Sequence, residues 1–146
     1  MFQEKAFSKK DFDRISKDLN DNSLNLGGGK VAKNSYFGNY DINIIGSALQ
    51  ERGYSYKWFD KRKDLNTINF DLILGLIINM NVKSFLGLRQ ALHWATVTRI
   101  HQKWAYSDSM KSKPNIFEHV SEMLVFLKHI VEIGGEILVV ARNDVI

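Results

Sequence analysis

"HWATVTRIHQKWAYSD", residues 93–108, decides the fold. Its two halves, "HWATVTRI" (93–100) and "KWAYSD" (103–108), are rich in β-branched and aromatic residues. Only His101 and Gln102 separate them, so the stretch reads as two strands joined by a two-residue hairpin turn. Neighbouring antiparallel strands hold side chains of one face within reach of each other. His93 opens the first strand and Asp108 closes the second. An imidazole is a general base near neutral pH, and a carboxylate partner fixes its tautomer and steadies the imidazolium. His93 is therefore a candidate base and Asp108 a candidate orienting group. A plainer reading stands beside this one: a strand-end histidine bonded to backbone, with Asp108 shaping a turn. Geometry, not spacing, identifies a triad, so the sequence leaves both readings open.

The nucleophile is a different matter. The chain has no cysteine, which excludes disulfides, thiolate metal sites and cysteine catalysis by these residues alone. No serine sits in a Gly-x-Ser-x-Gly elbow. The remaining totals are ordinary. With 146 residues, 45% hydrophobic and 25% charged, the expectation is one globular domain over 1–146 with a real core. A net charge of +4 allows acidic partners without demanding them. The opening "MFQEKAFSKK" lacks the apolar stretch of a signal peptide. The longest apolar run, Leu72 to Met80, is broken by Gly75 and Asn79 and falls far short of a membrane span. The expected compartment is the cytosol or the nucleus.

Working outward, "LILGLII" (72–78) reads as a strand buried on both faces. "YSYKWF" (54–59) alternates as a strand with Trp58 packed inward, and "GGEILVVA" (134–141) gives a last strand. Three helices are expected. Ser8 to Leu19 places Phe12, Ile15 and Leu19 on one face behind a Ser8/Asp11 cap. "GNYDINIIGSALQERG" (38–53) starts at an Asn39 cap, carries Ile44, Ile45, Ala48 and Leu49 as a stripe, and stops at Gly53. Ile116 to Val131 repeats the apolar period, with Phe117, Val120, Met123, Leu124, Phe126, Leu127, Ile130 and Val131 facing inward or flanking. Helices early and late around a mostly antiparallel sheet make an α+β order.

Three further features carry little chemistry. Gly27-Gly28-Gly29-Lys30 lacks the spacing and the Ser or Thr of a phosphate loop and reads as a plain loop. "KWFDKRKD" (57–64) mixes cations with aromatics, as single-strand nucleic-acid binders do, but Asp60 and Asp64 dilute the charge, and a solvated turn fits better. The four histidines, His93, His101, His119 and His129, show no zinc spacing. No metal, no cofactor and no nucleic acid are expected.

"GNYDINIIGSALQERGY" with a following Trp58 and Asp60, then "HWATV", then "WAYSDS" and Lys113-Pro114, resembles the Josephin domain of the ataxin-3/Josephin cysteine-type deubiquitinases. The likeness is greatest to the small stand-alone Josephin proteins and runs from about Met1 to "EILVV". It implies a papain-like α+β fold, ubiquitin or ubiquitinated proteins as partners, and hydrolysis of ubiquitin isopeptide or peptide bonds. It implies His93 as the base and Asp108 as its orienting residue. By residue match it makes Ile42, Asn43 and Trp94 candidate ubiquitin contacts. Two departures matter. Tyr106-Ser107 stand where Asn-Leu is common in the family. Phe2-Gln3 match the tail of the family's nucleophile helix, so the expectation is an N-terminally incomplete domain lacking its Cys and its oxyanion Gln. Such a chain is expected to be inactive alone. The alternatives are a non-catalytic ubiquitin-binding relative and a basic nucleic-acid-binding domain.

Overall fold

A computed structural model gives the fold of residues 42–83, 90–108 and 110–146. In chain order the elements are helix α1 (Ile42–Glu51), strand β1 (Tyr54–Trp58), a 3₁₀ turn (Leu65–Thr67), β2 (Gly75–Lys83), β3 (Gln90–Ile100), β4 (Lys103–Asp108), β5 (Asn115–Ile116), helix α2 (Val120–Glu132) and β6 (Glu136–Arg142). The expected Ser8–Leu19 helix, the Asn39 cap and the glycine loop lie outside the described residues. The chain divides into two compact units, Met1–Tyr54 and Ser55–Ile146.

In the first unit, α1 buries Ile44, Gly46 and Ala48 and leaves Asn43 exposed. Its end is set by Gly53, whose φ of +76° lies in the left-handed region that only glycine enters at no cost. The amide of Gly53 bonds back to the Gln50 carbonyl at 3.0 Å and closes the last turn.

The second unit holds a six-stranded sheet in the order β1-β6-β2-β3-β4-β5. β2 runs antiparallel to β3 and β6, β3 to β4, and β4 to β5. The α+β expectation with an antiparallel sheet therefore holds. Leu76 faces Val97 and Ile78 faces Ala95 across β2 and β3, and Ile78 faces Ile137 across β2 and β6. These side chains join Tyr106, Met123, Leu127 and Ile130 in one buried core, so α2 covers this face of the sheet. Gly75 begins β2 because a Cβ there would lie 2.7 Å from the Val97 carbonyl oxygen.

The hairpin forms where the sequence places it. His101 and Gln102 have φ of 47° and 70°, the two positive values of a type I′ turn matched to strand twist. Neither is Gly or Asn, so both carry the cost of the left-handed region. Replacing them together, His101→Asn with Gln102→Gly, is expected to raise stability by about 1–2 kcal/mol in a urea titration. A loss would contradict this backbone assignment.

Several boundaries differ from expectation. Leu72 and Leu74 are exposed, and β2 starts at Gly75 and runs on to Lys83. An apolar run cannot show where cross-strand pairing begins, and here β6 pairing starts opposite Val140. The second helix starts at Val120, not at Ile116, because Asn115 and Ile116 pair with Tyr106 and Ala105 as β5. The Phe117 amide extends that pairing to the Trp104 carbonyl at 2.9 Å. The Glu122 carboxylate then accepts the Glu118 amide at 3.0 Å at the helix entrance. Trp58 is 43% exposed and does not pack inward. β1 is an edge strand of the sheet, and Phe59 just beyond it is the buried aromatic. In the basic stretch, Lys61 meets Glu136 at 2.6 Å and Arg62 grips both oxygens of Asp60 at 2.9 Å. The Arg62 side chain and amide hold the half-buried Asp60 carboxyl down at about 2.

Candidate active site

β3 and β4 build the site. Asp108 lies directly opposite Ala95, and His93 is two residues back on the same strand face. His93 and Asp108 are thus diagonal neighbours on the face that also carries the core. Their side chains meet, with His93 Nε2 2.8 Å from Asp108 Oδ1. The side chains are only 15% and 8% exposed, so little water competes for the contact.

Asp108 is held from three directions. Its Oδ1 also accepts the Met110 amide at 2.8 Å, an Asx turn that carries the chain out of β4. Its Oδ2 accepts the Tyr106 hydroxyl at 3.0 Å. Burial is the largest single influence on this carboxyl and pushes its pKa up. The Met110 amide, the Tyr106 hydroxyl and His93 together outweigh it and leave Asp108 below the usual carboxylate range. Burial first, and then the bond to Asp108, push the Tyr106 phenol up to about 12.

An ionised carboxylate only accepts, so His93 donates from Nε2. That fixes the neutral tautomer and leaves Nδ1 as the basic nitrogen. The site can therefore accept one proton at Nδ1 and steady the resulting imidazolium through Nε2. The two readings left open by the sequence are not exclusive: Asp108 shapes the turn and also holds the histidine.

The other candidates lie elsewhere. Trp94 follows His93 and so projects from the opposite face, across from Asn79 on β2. Trp94 Nε1 and Asn79 Oδ1 are buried with no hydrogen-bond partner among the described residues. Ile42 and Asn43 open α1 in the first unit, Ile42 half-buried and Asn43 exposed. Sequence reasoning passed over Tyr106 and the Met110 amide. The available signal for Tyr106 was its i, i+2 spacing from Asp108 on one strand. Among the described residues no cluster of three metal-ligating side chains occurs, and no helix is long and apolar enough to cross a membrane.

Asp108→Ala is expected to cost about 1–3 kcal/mol in urea unfolding, because it strands the buried Tyr106 hydroxyl. A change near zero would mean that the contact holds nothing. The pH dependence follows from the two shifted groups. The depressed Asp108 contributes stability above its unfolded pKa, about 3.9, and loses it as pH falls through the folded value. The raised Tyr106 contributes below about 10 and loses it as pH rises towards about 12. Alkaline absorbance titration should show Tyr106 ionising late, and Asp108→Ala should bring it earlier.

The comparisons with known proteins place the chain in a family. The family model of Josephin matches residues 1–141. A Josephin-like protein of Arabidopsis thaliana is 33% identical over 138 residues, covering 87% of this chain and 38% of that protein. A Josephin-like protein of Drosophila melanogaster is 31% identical over 113 residues, covering 74% of this chain and 51% of that protein. Josephin-2 of Mus musculus is 30% identical over 151 aligned positions, covering 99% of this chain and 78% of that protein. This chain thus spans about two fifths to half of the first two relatives. With a family match over nearly its whole length, the chain belongs to the Josephin family.

Proposed function

We propose that this chain carries the proton-handling half of a Josephin-type ubiquitin thiol hydrolase. The observation that carries the reading is the 2.8 Å contact between His93 Nε2 and the largely buried Asp108 carboxylate. In this account His93 is the general base and Asp108 orients it. A thiol presented at Nδ1 would give up its proton to His93, and the imidazolium would be steadied by Asp108. The 146 residues contain no thiol, so they have no covalent route by themselves. Ubiquitin or a ubiquitinated protein is the partner, with Ile42, Asn43 and Trp94 as candidate contacts in a single Josephin-like domain.

A second reading is favoured by the absence of cysteine: a relative that binds ubiquitin without cleaving it. The two are separated by the intact mass and terminal peptides of the endogenous protein. A native product that adds a cysteine opening a helix supports the enzyme. A native product without cysteine leaves binding as the function.

A further inference from the structure

We propose that Tyr106 is a positioning residue for the base: its hydroxyl fixes the plane of the Asp108 carboxylate and, through it, the ring of His93. The proposal rests on the reading of His93 as the base.

The terminal torsion of aspartate is broad, so its hydrogen-bond partners set the carboxylate plane. The Met110 amide and His93 both address Oδ1, at 2.8 Å each. The Tyr106 hydroxyl addresses Oδ2 at 3.0 Å, so that the plane is restrained at its second oxygen as well. An acceptor fixed in plane keeps its lone pair aimed at Nε2, and the imidazole follows.

Tyr106 is itself held firmly enough to act this way. It is 4% exposed and sits in the middle of β4, opposite Val97 on one side and Asn115 on the other. Its ring packs at 4.8 Å against Phe126 of α2, which in turn packs at 5.4 Å against Phe117. The Lys111 ammonium lies 5.1 Å from the ring centre. The seat is therefore built from three elements, and the hydroxyl emerges from it at Asp108.

The competing role for Tyr106 is packing alone, and Tyr106→Phe separates the two because it keeps the ring. The readout is the water-exchange rate of the His93 Nε2 proton in the free, ¹⁵N-labelled chain at a pH where the ring is neutral. His93→Gln identifies the resonance among the four histidines. Tyr106→Phe is expected to speed exchange about tenfold, the scale of one charge-assisted hydrogen bond, while the melting curve stays cooperative. An unchanged exchange rate in the folded variant overturns the proposal. Should Tyr106→Phe fail to fold, Phe126→Leu loosens the seat and leaves the hydroxyl. It is expected to speed exchange as well, and an unchanged rate overturns the proposal equally. The readout needs neither ubiquitin nor a thiol. Failure here leaves His93 paired with Asp108, and failure of the enzyme reading leaves this result standing.

Discussion

Cleavage of a fluorophore amide of ubiquitin by the purified 146-residue chain is expected to stay at the rate seen in buffer, and His93→Ala is expected to leave that rate unchanged. The hydrolase reading assigns this chain a base and an orienting carboxylate, but the covalent step needs a nucleophile, and the chain has no cysteine. In a comparable hydrolase, loss of the nucleophile alone costs about 10⁶ in kcat, as much as losing the whole triad. Once the nucleophile is gone, the base has nothing to activate, which is why His93→Ala should add no further loss. Cleavage above buffer that disappears with His93→Ala would contradict the account. It would mean that another side chain attacks through the same base.

Leu127→Ala is expected to lower the stability of the chain by about 2–5 kcal/mol, the range for emptying a fully buried leucine site. Leu127 is 0% exposed and belongs to the cluster that joins α2 to Ile78, Ala95, Val97 and Tyr106 on the sheet. Domains carry only about 5–15 kcal/mol in all, so the loss is a large share and should lower the melting point by on the order of 10 °C. The effect should reach the site, because α2 also carries Phe126, which seats Tyr106. Val125 on the same helix is 71% exposed, and Val125→Ala should stay within about 0.5 kcal/mol. Equal effects at the two positions, read in one urea series, would mean that α2 does not cover the sheet as described.

Much of this arrangement is legible in the chain. The period-2 pattern and the two-residue spacer place His93 and Asp108 on one face of a hairpin before any coordinates are seen, and the register puts them on one diagonal. Gly53 reads correctly as a helix stop because a positive φ has a residue signature. What escapes is set by partners distant in sequence. Ile116 fits the helical apolar pattern that follows it, yet together with Asn115 it pairs along the edge of β4 as β5. Trp58 alternates correctly along its strand, but the strand lies at an edge where alternation does not guarantee cover. Tyr106 stands out in the sequence only as a departure from the family. Its role depends on where a hydroxyl ends up, some six bonds from the backbone. The choice between a catalytic and a turn-forming Asp108 was likewise a question of direction, and the side chain has enough acceptor sites to do both.

The most direct test of the central claim is one NMR experiment on the ¹⁵N-labelled chain, reading the histidine ring nitrogens before and after adding unlabelled ubiquitin. The account predicts that His93 carries its proton on Nε2 and none on Nδ1 in the neutral state. It further predicts that ubiquitin shifts the His93 ring signals and leaves His119 and His129, at the start and on the exposed side of α2, where they were. A His93 protonated on Nδ1, or ubiquitin shifts confined to His119 and His129, would contradict it.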